Sequence, residues 1–140
     1  MPSPVQELGR TIKQLQNRHH RLLDTELHRR DSSLAQWDAV RAIQQNPGAS
    51  ARRLAALTFQ TDQSFGTLAM RLEKKGLIER RAGAGRAIAH SLTAAGRRLL
   101  EEASAGVDQV LNASFANLSA LEREQLYTLV TKVLATDPAD

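Results

Sequence analysis

The sequence predicts a mainly α-helical fold in which long helices at both ends enclose a central helix-turn-helix followed by a β-hairpin. Three observations predict it. Apolar residues near both termini recur at alternating spacings of three and four, the mark of amphipathic helices. Residues 50–76 read as a short helix, a three- or four-residue turn and a second helix. The stretch that follows, residues 77–92, carries the hairpin pattern. The expected class is therefore a winged helix-turn-helix with a two-stranded β wing and a helical dimerisation layer from the N- and C-terminal helices.

The elements follow in order. Val5, Leu8, Ile12, Leu15, His19, Leu22 and Glu26 form the seam of a helix from about residue 4 to 30, interrupted by the polar His19. Ser32 or Ser33 caps a second helix in which Leu34, Trp37, Val40, Arg41 and Ile43 line up, until Asn46-Pro47-Gly48 stops it. Ser50 caps the third, with Leu54, Ala55 and Leu57 as its inner face; it is too short to stand without neighbours. Thr61 caps the fourth, where Phe65, Leu68, Ala69 and Leu72 recur until Gly76 supplies a left-handed end. Residues 77–81 and 86–92 are the strands, joined by Ala82-Gly83-Ala84-Gly85, with Leu77, Ile88 and Leu92 expected inward and His90 outward. Thr93 caps a fifth helix, buried through Leu99, Leu100, Ala103, Val107, Val110 and Leu111 and weakened by Gly96 and Gly106. Ser119-Ala120-Leu121-Glu122 is a capping box that opens a last helix carrying Leu121, Leu126, Leu129, Val130, Val133 and Leu134. The tail after Ala135 is expected to fray.

At 140 residues the chain is one unit, 1–140, with residues 34–92 as a winged-helix lobe and residues 5–30 and 94–135 as the dimerisation layer. Hydrophobic residues at 41% and charged residues at 24% exclude wholesale disorder. The apolar runs are far too short to cross a bilayer, and charges throughout residues 1–30 leave no apolar export segment, so a cytoplasmic location is expected. Without cysteine there is no disulfide, thiolate nucleophile or thiol redox switch. Net charge is +4, and from Ser50 to Leu92 eight basic residues face three acidic ones. A basic middle between near-neutral flanks points to a polyanion.

In a helix-turn-helix the second helix meets base edges while the first helix and the wing hold phosphates. The first turns of the fourth helix present Gln63, Ser64 and Thr67 outward. Gln63 can bond adenine through two contacts, and the hydroxyls serve donors or acceptors. Ser50, Arg52, Thr61, Arg71, Arg81 and Arg86 complete the expected DNA-binding set, with Arg71 reaching phosphate rather than a base. The dimer interface is expected at Val5, Leu8, Ile12, Leu15, Leu121, Leu126, Leu129 and Val133, because these stripes exceed what one small domain can hide.

Leu54-Ala55-Ala56-Leu57, then Arg71-Leu72-Glu73-Lys74-Lys75-Gly76-Leu77-Ile78, then Ser91-Leu92-Thr93-Ala94-Ala95-Gly96 resemble the multiple-antibiotic-resistance regulator (MarR) family over nearly the whole chain. The resemblance implies a homodimeric repressor on double-stranded DNA, released by a small aromatic or phenolic effector held between dimer layer and DNA-binding lobe. It puts His19, Leu23 and Trp37 near that pocket. Two departures stand out. Where the family usually has Asp-x-Arg at the wing tip, this chain has Ala84, Gly85 and Arg86, so the arginine lacks its anchor. Where the family commonly has an arginine in the recognition helix, this chain has Thr67, which implies a different operator.

No catalytic motif appears: there is no His-Glu-x-x-His, Gly-x-Ser-x-Gly or phosphate-binding Gly-x-x-x-x-Gly-Lys run. An enzyme is not expected, nor a cofactor. His20, Asp24 and His28 share a helix face, yet three residues spread over more than two turns do not converge on one metal ion. Two other readings stay open: a helical protein-interaction module whose basic middle binds an acidic partner, and a sequence-independent DNA-binding protein.

Overall fold

The computed structural model describes residues 1–82, 85 and 87–136. The elements are α1 (Pro4–His28), α2 (Leu34–Gln45), α3 (Ala51–Leu57), α4 (Asp62–Lys74), β1 (Ile78–Ala82), β2 (Ile88–Leu92), α5 (Ala94–Ser114) and α6 (Ala120–Leu134). Gly83, Ala84 and Arg86 of the expected wing tip, and residues 137–140 of the expected frayed tail, lie outside the described residues.

Every helix begins where a serine or threonine oxygen takes a backbone N–H that would otherwise have no partner. The caps are Ser3, Ser33, Ser50, Thr61, Thr93 and Ser119. Such a cap contributes about 1 kcal/mol relative to alanine. Of the two candidates before α2, Ser33 makes the bond and Ser32 is buried. α4 ends on Gly76 at φ +76°, with Gly76 N–H donating to the Glu73 carbonyl and Leu77 N–H to the Leu72 carbonyl, both at 3.0 Å. This paired closure needs a left-handed residue, which glycine adopts at no steric cost.

Two apolar clusters hold the molecule. One joins Val40 and Ile43 of α2, Leu54 of α3, Phe65 and Leu72 of α4, Ile78 of β1 and Leu100 of α5. The other joins Leu23 and Leu27 of α1 to Ala103 and Val107 of α5. Trp37 packs against both, so α2 is the seam between the lobe that carries α4 and the long helices.

The structure corrects several expectations. Leu22 is exposed, and α1 instead buries Leu23 and Leu27 against α5; the seam from Val5 to Leu15 points elsewhere. Leu57 is also exposed, because α3 rests on Leu54 and Ala55, with Ala51 half-buried beside them. In the wing, Leu77 and Leu92 pack half-buried against the first cluster as expected and Ile78 is buried beside them, but Ile88 is 46% exposed. His90, expected outward, is 1% exposed. The register explains both, since Ile78 faces Leu92, Arg80 faces His90 and Ala82 faces Ile88. Ile88, His90 and Leu92 therefore share one face by strand alternation, and Ile88 lies past the edge of the core.

The glycines of α5 are corrected too. A Cβ on Gly96 would overlap the Leu77 carbonyl oxygen, and one on Gly106 would overlap the Glu26 carboxylate. Both residues are buried and permit close approach rather than merely weakening the helix. Among the described residues no helix is long and apolar enough to cross a membrane.

Candidate nucleic-acid interface

α4 is held as a rod by its inner line. Phe65, Ala69 and Leu72 are buried, while Gln63, Ser64, Thr67 and Arg71 are exposed. Thr61 is committed to the helix start, its hydroxyl accepting from Ser64 N–H at 3.0 Å. Ser64 donates its own hydroxyl to Gln60 Oε1 at 3.2 Å, and Thr67 donates to the Gln63 carbonyl at 3.2 Å. Those two side chains therefore offer lone pairs outward more readily than protons. Gln63, Ser64, Thr67 and Arg71 border a groove of about 490 Å³ together with Gln60, Leu68 and Ala35 of α2.

The basic residues of the middle divide in two. Arg80 is half-buried and bonds Glu73 at 3.1 Å, tying the wing to the end of α4. That hydrogen bond holds the Glu73 carboxyl below its ordinary range. Lys75 donates to the Asp31 carbonyl at 2.8 Å and to Gln36 Oε1 at 3.0 Å, tying α4 to the corner between α1 and α2. Both are used internally. Arg52, Arg53, Arg71 and Lys74 are exposed without a carboxylate partner among the described residues, and Arg81 meets only the exposed Glu79 at 3.1 Å. Of the residues expected at DNA, Ser50 serves as the α3 cap, accepting from Arg53 N–H at 3.3 Å, and Arg86 lies outside the described residues.

Sequence reasoning missed what positions this surface. His90 donates through Nδ1–H to the Ala49 carbonyl at 2.9 Å, and its backbone N–H donates to the same oxygen at 3.3 Å. Its ring meets Phe65 edge-on, centroids 6.1 Å apart. The wing strand, the segment before α3 and the inner face of α4 thus meet at one buried imidazole. The alternation of Ile88, His90 and Leu92 was the signal that could have found it.

A second concavity, about 1130 Å³, opens between the N-terminal part of α1 and α6. It brings together Leu8, Ile12, Leu15, Leu126, Leu129 and Val133 of the expected dimer interface, and His19 and Leu23 of the expected ligand contacts. Val5 and Leu121 are exposed outside it, and Trp37 does not line it. His19 Nε2 is 2.7 Å from Ser114 Oγ and its ring meets Phe115 edge-on at 5.1 Å. Burial, with a smaller contribution from Arg18, pushes the His19 imidazole below its ordinary value. His20, Asp24 and His28 do not converge: His28 bonds the Asp24 backbone carbonyl, and Asp24 Oδ1 accepts from Leu34 N–H at 2.9 Å.

Residues 30–87 match the model of the MarR family. Over 103 residues, 72% of this chain and 74% of the relative, the sequence is 30% identical to the HTH-type transcriptional repressor Rv2887 of Mycobacterium tuberculosis. The chain belongs to the MarR family. Solved MarR-family structures agree with that placement. The fold matches a mutant MarR from E. coli complexed with operator DNA at a TM-score of 0.84 and 25% identity, over 93% of this chain and 95% of the other. It matches the M. tuberculosis MarR family protein Rv2887 in complex with p-aminosalicylic acid at a TM-score of 0.76 and 26% identity, over 90% and 97%. Within this MarR-family chain, the matched segment 30–87 contains α2, α3, α4 and β1, the elements that present the basic and polar surface.

Proposed function

We propose that this chain is a homodimeric, sequence-specific DNA-binding transcriptional repressor, with residues 34–92 as its DNA-binding lobe and residues 5–30 and 94–135 as its dimerisation layer. The observation that carries the reading is α4: an apolar line fixed in the core and a polar line left in solvent, beside exposed arginines. Gln63, Ser64 and Thr67 read bases; Arg52, Arg71, Arg81 and Arg86 neutralise phosphate; the α3 and α4 starts, at Ser50 and Thr61, approach the backbone. Two copies enter successive major grooves about 34 Å apart. Such a protein acts in the cytoplasm, where its DNA is, and needs neither cofactor nor catalytic group.

Selection from random duplexes tests this. An inverted repeat is expected, with log affinity falling against log salt at a slope of roughly −5 if about six phosphates are neutralised per dimer. Gln63→Ala should change preference at one position per half-site, and Arg52→Ala should weaken all sequences alike. No enriched repeat would favour the sequence-independent binder, and a slope near zero the protein-interaction module.

The repressor is released, in this reading, by a small aromatic or phenolic anion beside His19 and Leu23; that a relative forms a complex with p-aminosalicylic acid supports the ligand class. Release needs only a shift of a few ångströms between the half-site readers, because both must engage together. Salicylate added to the protein–DNA complex is expected to free DNA and to change the emission of Trp37, the one tryptophan. DNA held at millimolar salicylate would remove this part of the proposal.

A further inference from the structure

We infer that Met70 is a specificity-determining residue whose thioether end meets the C5 methyl group of a thymine in each half-site. The inference rests on the proposed entry of α4 into the major groove. At 100° per residue, the line opposite the buried Phe65, Ala69 and Leu72 runs through Gln63, Thr67, Met70 and Lys74. Ser64 and Arg71 flank that line on one side and Gly66 on the other. Met70 is 61% exposed and is the one large apolar side chain on this outer line.

A helix lying in a major groove meets base edges through positions i, i+3, i+4 and i+7. Counted from Gln63, these are Gln63, Gly66, Thr67 and Met70. Gly66 projects no side chain, and a Cβ built there would meet nothing within 4 Å. The reading edge is thus a polar group at Gln63, a gap at Gly66, a second polar group at Thr67, and then the apolar tip of Met70 one turn beyond the gap. Among base edges in the major groove the thymine methyl is the apolar feature. An unbranched, polarisable methionine reaches it without demanding one rotamer. Thr67 has its hydroxyl proton committed to the Gln63 carbonyl, so it does not supply a donor that would pull a different base to this place.

The test replaces each thymine of the selected site by deoxyuridine, which removes the methyl group and nothing else. With the wild-type protein, affinity is expected to fall about fourfold per half-site at one thymine, the value of one buried carbon, and about sixteenfold when both half-sites are changed. Met70→Ala should bind the thymine and deoxyuridine sites equally, with an unchanged melting temperature because the side chain is in solvent. Wild-type indifference to deoxyuridine at every position would overturn the inference, as would Met70→Ala retaining the full sensitivity. Failure of the underlying reading looks different: no inverted repeat is recovered at all, and the inference goes with it.

Discussion

Gly96→Ala is expected to lower stability by about 2 kcal/mol, a net value that already includes the roughly 1 kcal/mol by which alanine outperforms glycine inside a helix. For a chain of this length that corresponds to a drop in melting temperature of roughly 8 °C. The reason lies in what the Leu77 carbonyl does. It accepts from Thr93 N–H at 3.1 Å, while Thr93 Oγ1 donates to the Gly76 carbonyl at 2.6 Å. The start of α5 is thereby clamped onto the closure of α4, and the α carbon of Gly96 lies against the Leu77 carbonyl. A methyl group there meets the Leu77 backbone, and backbone held by these bonds does not move aside cheaply.

Two other glycines separate this cause from a general helix effect. A Cβ on Gly106 also meets a neighbour, but that neighbour is the end of the Glu26 side chain, which can rotate away. Gly106→Ala should therefore cost far less than Gly96→Ala. Gly9, in α1, has nothing within 4 Å of an added Cβ, and Gly9→Ala should raise the melting temperature. The order Gly96, Gly106, Gly9 from worst to best, read by thermal denaturation, is the expected result. A Gly96→Ala protein as stable as wild type would show that the clamp is looser than described.

This clamp also indicates how far the sequence could be read. Caps are local events, so Ser50, Thr61, Thr93 and Ser119 were legible from residue type and the apolar run that follows each. The polar face of α4 was legible because period alone separates Gln63 and Thr67 from Phe65 and Leu72. Gly96 and Gly106 showed only their local cost in the sequence, since the oxygen atoms they accommodate come from residues 19 and 80 positions away. His90 was hidden by its type: alternation with Ile88 and Leu92 placed it inward, and its polarity argued for solvent. The Ala49 carbonyl that takes its Nδ1–H is distant in sequence. α1 was misread in part because it serves two surfaces. Leu23 and Leu27 pack on α5, while Val5, Leu8 and Ile12 stay in solvent on the isolated protomer.

That second surface predicts the largest functional effect. None of the residues of α6 is buried, and Leu121, Leu129 and Val133 are 61–73% exposed, facing the same solvent as the exposed apolar residues of α1. A soluble protomer rarely leaves so much apolar surface uncovered, and a second copy supplies the same surface in return. Val133→Asp places a charge where the partner's apolar side chains would close. Because Val133 contributes nothing to the protomer core, helix content is expected to change little while the dimer separates into monomers. Each monomer then engages one half-site, and the linkage between the two binding events is lost. Affinity for the full inverted repeat should fall by roughly 10²–10⁴-fold, and the salt slope should halve to roughly −2.5 because half as many phosphates are neutralised per particle. Affinity for an isolated half-site should be almost unchanged. Sedimentation and a two-site against one-site binding comparison decide the matter: a Val133→Asp protein that remains dimeric, or a monomer that still prefers the full repeat, would place the self-association surface elsewhere on the molecule.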